Sequence, residues 1–111
     1  MEPFTEKVVT IIQHIPEGKV MTYGQIAKNA GNPRGARQVA RILHSLSRKY
    51  HLPWHRVVNV KGEISFQGEE QFQAQKLSLE AEGIKVVKEK KVDLNKYRYN
   101  PDYSDQKLRP K

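Results

Sequence analysis

TYGQIAKNAGNPRGARQVAR, running from Thr22 to Arg41, is the stretch whose reading decides the fold. Thr22 and Gln25 have the spacing of a capping box, in which the Thr hydroxyl takes the backbone N–H at Gln25 and the Gln side chain reaches back. A short helix is expected from there to about Asn29. Gly31-Asn32-Pro33 breaks it, and a second helix is expected from near Arg34 to about Leu46. A short helix, a tight Gly-containing turn and a basic helix make a helix-turn-helix pattern. Ala36, Val39, Ala40 and Leu43 give the second helix a small or apolar face. Arg34, Arg37, Arg41, His44 and Arg48 fall at steps of three and four and share the other face. Arginines this close repel one another without a counter-charge, and no acid is near in sequence. Phosphates are one source of that charge; a solvated arginine stripe is the other reading.

On the N-terminal side, Phe4, Val8, Ile11, Ile12 and Ile15 recur at helical spacing, which predicts an amphipathic helix over 3–15 stopped by Pro16-Glu17-Gly18. Val20 and Met21 form a short extended link. On the C-terminal side, 47–53 reads as a loop. Val57 to Val60, Lys61-Gly62 and Glu63 to Phe66 are expected to make a small hairpin. A helix follows over 69–82, with Phe72, Lys76 and Leu79 on a modest apolar face, Leu77 beside them and the Lys76 stem laid along it. Gly83 caps it. Ile84 to Val87 reads as a strand with a return between Val92 and Tyr99. The expected architecture is mostly α with a small β-hairpin, one domain over 1–99. The polar stretch 100–111 is expected to be a loosely attached tail.

Composition narrows the function classes. The chain has no cysteine, which removes disulfides, thiolate metal sites and thiol nucleophiles together. No apolar run approaches membrane-spanning length, and MEPFTEKVV lacks the basic-then-apolar order of a signal peptide. A cytoplasmic protein with no membrane partner is expected. The net charge is +8, from 20 Lys and Arg against 12 Asp and Glu. Its distribution matters more: from Gly18 to Gly62 there are nine Lys or Arg and no acid. Such a segment suggests a surface facing a polyanion, against the plainer reading of a solvated basic surface.

LPWHRV, Leu52 to Val57, holds the only tryptophan, Trp54, on a Pro-started turn beside His55 and Arg56. It is placed for contact with a ligand, or it is ordinary core. Tyr23 carries the same ambiguity at its helix start. His51 and His55 have helical metal-ligand spacing, but Pro53 lies between them and no third ligand is evident. No metal and no cofactor are expected.

Four ordered stretches carry a family resemblance: Gly18 to Ala27, Gly31 to Val39, Pro53 to Val58, and Glu80 to Gly83. Together they resemble the C-terminal DNA-binding domain of the O6-alkylguanine-DNA alkyltransferases over roughly residues 3–87. That implies a winged helix-turn-helix-like domain. In the family the position of Trp54 is a cysteine, the alkyl acceptor of a Pro-Cys-His-Arg motif. An indole cannot replace a thiolate nucleophile, so the resemblance narrows to the non-enzymatic, alkyltransferase-like branch, whose members bind alkylated guanine without repairing it.

The resemblance also implies roles. Arg37 is the finger that fills the duplex when the nucleotide is flipped. The second helix lies in the minor groove, where Gly35, Ala36 and Ala40 allow close approach. Thr22, Arg34, Gln38 and Arg41 join Gly35 and Ala36 as DNA-binding residues. Tyr23, Pro53, Trp54 and Val57 form the lesion pocket, with Tyr23 also pressing on the adjacent phosphate. His55 and Glu82 match the pair that activates the cysteine in the enzymes and are expected here as a retained structural network. The implied partners are duplex DNA carrying O6-alkylguanine and nucleotide excision repair proteins, with the protein a monomer and, in a bacterium, nucleoid-associated. The alternative is a sequence-specific helix-turn-helix regulator, against which stand the small residues on the helix and the lack of a dimerisation segment. A base-excision glycosylase using Glu82 or an Asp is weaker, since no acid lies near Trp54 in sequence.

Overall fold

The computed structural model describes residues 1–66 and 68–101. The polar tail expected over 100–111 lies almost wholly outside the described residues. Helix α1 spans Pro3–Gln13, strand β1 Met21–Thr22, helix α2 Tyr23–Asn29 and helix α3 Ala36–Tyr50. A 3-10 turn at Trp54–Arg56 leads into strand β2, Val57–Val58. Helices α4, Glu69–Ala81, and α5, Leu94–Tyr97, follow.

The opening stretch folds as its capping chemistry predicts. Thr22 Oγ1 accepts the Gln25 N–H at 3.1 Å, and Gln25 Oε1 accepts the Thr22 N–H at 3.2 Å. Helix α3 starts later than Arg34 because the turn consumes two more residues. There the Asn32 side chain accepts the Arg34 N–H, and the Asn32 carbonyl accepts the Gly35 N–H. It also runs past Leu46, through residues expected to be loop. Leu46 and Tyr50 pack on the helical core, and the helix stops only where His51 turns left-handed at φ 52°. The Leu52 N–H then closes onto the Ser47 carbonyl.

Two apolar clusters make the core. Val8, Val9, Ile11 and Ile12 of α1 pack with Ile26 and Ala27 of α2 and Val39, Ile42 and Leu43 of α3. Val20, Val58, Ile64, Leu79, Ile84, Val92 and Tyr97 form the second. The short sheet joins them. β1 and β2 pair in parallel, Met21 against Val57 and Thr22 against Val58. Alternate side chains point to opposite faces, so Met21 and Val57 enter the helical cluster while Val20 and Val58 enter the other.

The hairpin expected over 57–66 is therefore replaced by this parallel pair. Val57 and Val58 are both buried and need apolar cover on both faces, which the two clusters supply and a solvent-facing hairpin would not. Val60, expected on the hairpin, is 76% exposed. The Lys61-Gly62 turn does form. Asn59 Oδ1 accepts the Lys61 and Glu63 N–H groups, both at 2.9 Å, but Glu63 then bridges to Lys91. Gly62 is required there: its φ is +79°, and a Cβ would lie 2.7 Å from the Val92 carbonyl.

The C-terminal strand pair is likewise reduced to a Val87–Lys91 bridge. Half of the expected return strand is helix α5, capped by Asp93 accepting the Asn95 N–H at 2.9 Å. On α4, Leu79 is buried and Phe72 half-buried as read, but Leu77 is 62% exposed and the polar Gln75 takes the buried position.

Candidate nucleic-acid interface

Helix α3 presents Arg37, Arg41, His44 and Arg48 to solvent, with Arg34 exposed in the turn before it. Among the described residues the only ion pairs join Glu82 to His55 and to Arg56. The arginine stripe is therefore a row of cations without a carboxylate partner among those residues. Between α3 and the Trp54 turn lies a cleft of about 790 Å³. Tyr23 and Trp54 line it, with Ala40, His44 and Arg48 of α3 and the ring of Phe66. Trp54 stands edge-on to Phe66, their ring centres 5.5 Å apart and their planes at 87°. This T-shaped pair leaves Trp54 half-buried, packed against the core on one side and facing the cleft on the other. Burial pushes the Tyr23 phenol above its usual pKa, so it stays a neutral hydroxyl donor.

Beneath the cleft lies a polar network. Glu82, just past the end of α4, receives His55 Nε2 at 2.6 Å and Arg56 Nη2 at 2.7 Å on one oxygen. The other oxygen accepts the Gly18 N–H at 2.9 Å and Arg56 Nε at 3.0 Å. Arg56 Nη1 donates to the Ile15 carbonyl at 2.8 Å. Burial opposes charge on Glu82, but the bonds from Arg56, Gly18 and His55 outweigh it and lower its pKa to about 2. The contact with an ionised carboxylate assigns the imidazole proton to His55 Nε2. Gln75 completes the support, donating to the carbonyls of His55 at 3.0 Å and Val57 at 2.9 Å. The turn that carries Trp54 is thus held from below by α4 at several points.

The predicted site residues fall into three groups. Tyr23 and Trp54 meet at the cleft, and His55 and Glu82 meet beneath it. Arg34, Arg37 and Arg41 are exposed, with Ala36 and Gln38 half-exposed, on or beside α3. The others are turned elsewhere. Val57 is buried in the core and Pro53 precedes the turn; neither lines the cleft. Thr22 is buried, its hydroxyl engaged in the α2 cap. Gly35 is buried, and its small size answers an inward constraint: a Cβ would lie 3.0 Å from the Phe4 ring and 3.1 Å from the Asn32 side chain.

Sequence reasoning assigns Arg56, Gln75 and Phe66 no place here, and His44 and Arg48, read as part of the basic face of the helix, also line the cleft. Arg56 counts by sequence among the cations of the acid-free segment, and its partner Glu82 withdraws it from that surface. Among the described residues, no three His, Asp or Glu side chains come together to hold a metal ion. No helix of the described residues is long and apolar enough to cross a membrane.

Comparison with known proteins gives this geometry its context. The profile of the family described as 6-O-methylguanine DNA methyltransferase, DNA binding domain, matches residues 3–84. The chain is 48% identical over 99 residues to the Escherichia coli DNA base-flipping protein, covering 89% of this chain and 76% of that one. It is 41% identical over 109 residues to alkyltransferase-like protein 1 of Schizosaccharomyces pombe, covering 91% and 98%. The crystal structure of S. pombe Atl1 in complex with damaged DNA containing O6-carboxymethylguanine superimposes with a TM-score of 0.82 at 40% identity, again covering 91% and 98%. The matched family is described by methyl transfer, yet this chain contains no cysteine. The chain belongs to the 6-O-methylguanine DNA methyltransferase DNA-binding-domain family and is similar to its alkyltransferase-like members.

Proposed function

We propose that this protein binds O6-alkylguanine in duplex DNA, flips the nucleotide into the cleft beside Trp54, transfers no alkyl group, and marks the site for nucleotide excision repair. One observation carries the reading: an aromatic cleft opens beside a helix whose arginines have no carboxylate partner among the described residues. Phosphates supply the counter-charge, and a flipped base fits the aromatic lining of the cleft. Helix α3 docks in the minor groove, where Ala36 and Ala40 allow close approach, and Arg37 fills the space the base leaves. The neutral Tyr23 hydroxyl donates to the phosphate beside the flipped nucleotide. Trp54 offers its ring to the base and its alkyl group, and the network of Glu82, His55 and Arg56 keeps that ring in place. With no thiolate to attack the alkyl carbon, the complex ends at recognition. The protein acts as a monomer in the cytoplasm, on the nucleoid if its host is bacterial.

The test pairs two duplexes differing only in one guanine against O6-methylguanine. The expected result is at least tenfold tighter binding to the modified duplex by fluorescence anisotropy, affinity falling steeply with salt, and recovery of the methyl group intact on the DNA. Equal affinity for the two duplexes overturns the reading.

A further inference from the structure

We propose that the cleft contains an anion-recognising wall, formed by Arg48 with His44 and His51, that favours O6 substituents ending in a carboxylate over neutral ones of the same size. This rests on the reading that the cleft receives a flipped O6-alkylguanine. The last turns of α3 carry His44 and Arg48 to the cleft, and His51 joins them just beyond its end. No Asp or Glu lines the cleft among the described residues, and none pairs with Arg48. Acids begin on the other side of one ring. Phe66 also borders a second groove of about 480 Å³, lined by Glu69, Glu89 and Lys76. A substituent reaching past Trp54 into the first cleft meets guanidinium and imidazole groups; one reaching the second groove meets mixed charge.

The charges set the preference. A carboxylate entering a neutral cleft loses hydration that nothing replaces, so a neutral site binds such a lesion less well than an uncharged one. A guanidinium in a cleft covered by DNA reverses this through charge-assisted, paired N–H contacts to the carboxylate. The carbonyls at the C-terminus of α3 work against an anion. Two of them are already engaged: the Ser47 carbonyl accepts the Leu52 N–H at 2.9 Å and the Arg48 carbonyl the His51 N–H at 3.4 Å.

The experiment uses the full chain and four duplexes that differ at one position: guanine, O6-methylguanine, O6-carboxymethylguanine, and the neutral isostere O6-carbamoylmethylguanine. The readout is the ratio of Kd values for the last two at fixed pH and salt. Phosphate contacts act equally on both and leave the ratio unmoved. The expected ratio is about tenfold in favour of the carboxylate. Arg48→Gln should bring it to one or below, and Arg48→Lys should restore part of it. Arg48 is exposed, so both variants should fold. A ratio of one in the unmodified protein overturns the proposal, as does a ratio that Arg48→Gln leaves unchanged. If no modified duplex binds tighter than the guanine duplex, the flipping reading fails and this proposal falls with it. Preference for O6-methylguanine over guanine without the carboxylate ratio removes this proposal alone.

Discussion

Replacing Glu82 by Gln probes the support beneath Trp54 with the least change of shape. The Glu82 side chain is only 11% exposed and receives His55, Arg56 and the Gly18 N–H. Its pKa falls from 4.5 to about 2 on folding, with burial opposing the shift and the bonds from Arg56, Gly18 and His55 producing it. At 1.36 kcal/mol per unit, that depression corresponds to about 3 kcal/mol of stability at neutral pH. The sign follows from the direction: the folded state holds the proton less tightly, so the stabilisation is full above the unfolded pKa and is lost as pH falls toward 2. Gln cannot carry the charge, and Arg56 is left paired to a neutral amide.

Thermal unfolding by circular dichroism should therefore place Glu82→Gln roughly 12–20 °C below the parent at pH 7, for a domain of this size. The difference should shrink to about 1 kcal/mol at pH 3 and well under 1 kcal/mol at pH 2, where the parent protonates the same group. An unchanged Tm at pH 7 would refute the reasoning. So would a difference that persists undiminished in acid, because it would then come from shape rather than charge.

Other outcomes follow from the same geometry. Gln75→Leu leaves the carbonyls of His55 and Val57 without their buried donor and should cost about 2–3 kcal/mol in urea unfolding, although it adds apolar surface. Thr22→Ala removes the α2 cap and should cost about 1 kcal/mol in the same assay, with lesion affinity little changed because the hydroxyl faces inward. Arg37→Ala should leave Tm unchanged, since the side chain is exposed, and weaken binding to an O6-methylguanine duplex on the order of 100-fold, the cost of an unfilled stack. Arg41→Gln should weaken modified and unmodified duplexes alike and lower the salt slope by about one, as loss of a phosphate contact does.

The parts of the fold legible in the sequence are those specified by neighbours. The Thr22-Gln25 box, the break at Gly31-Asn32-Pro33 and the start of α4 are local chemistry, and each lies at or within two residues of its expected place. The end of α3 was not legible because its stop is His51 in a left-handed conformation rather than a glycine, and the polar run Ser47 to Lys49 resembles a loop until Leu46 and Tyr50 are seen against the core. The parallel pairing of β1 with β2 was hidden because each strand has two residues and its partner is distant in the chain. Helix α5 did have a signal, Asp93 as N-cap, which the apolar alternation around it obscured.

At the site, Trp54, Tyr23, His55 and Glu82 could be named through the family resemblance. Arg56 could not be separated from the surface cations, since its carboxylate lies 26 positions away. Nor could the cleft positions of Phe66 and Arg48 be read, because a cleft wall is a property of packing between elements rather than of spacing within one.

Trp54 is the only tryptophan, so its fluorescence reports the cleft alone. The most direct test titrates the protein at fixed salt with two duplexes that differ by one O6-methyl group, following that signal. The account predicts a large spectral change and much tighter binding with the modified duplex, as the flipped base reaches the indole. Equal, salt-sensitive binding with no spectral change on either duplex would contradict it and leave a general DNA-binding domain in its place.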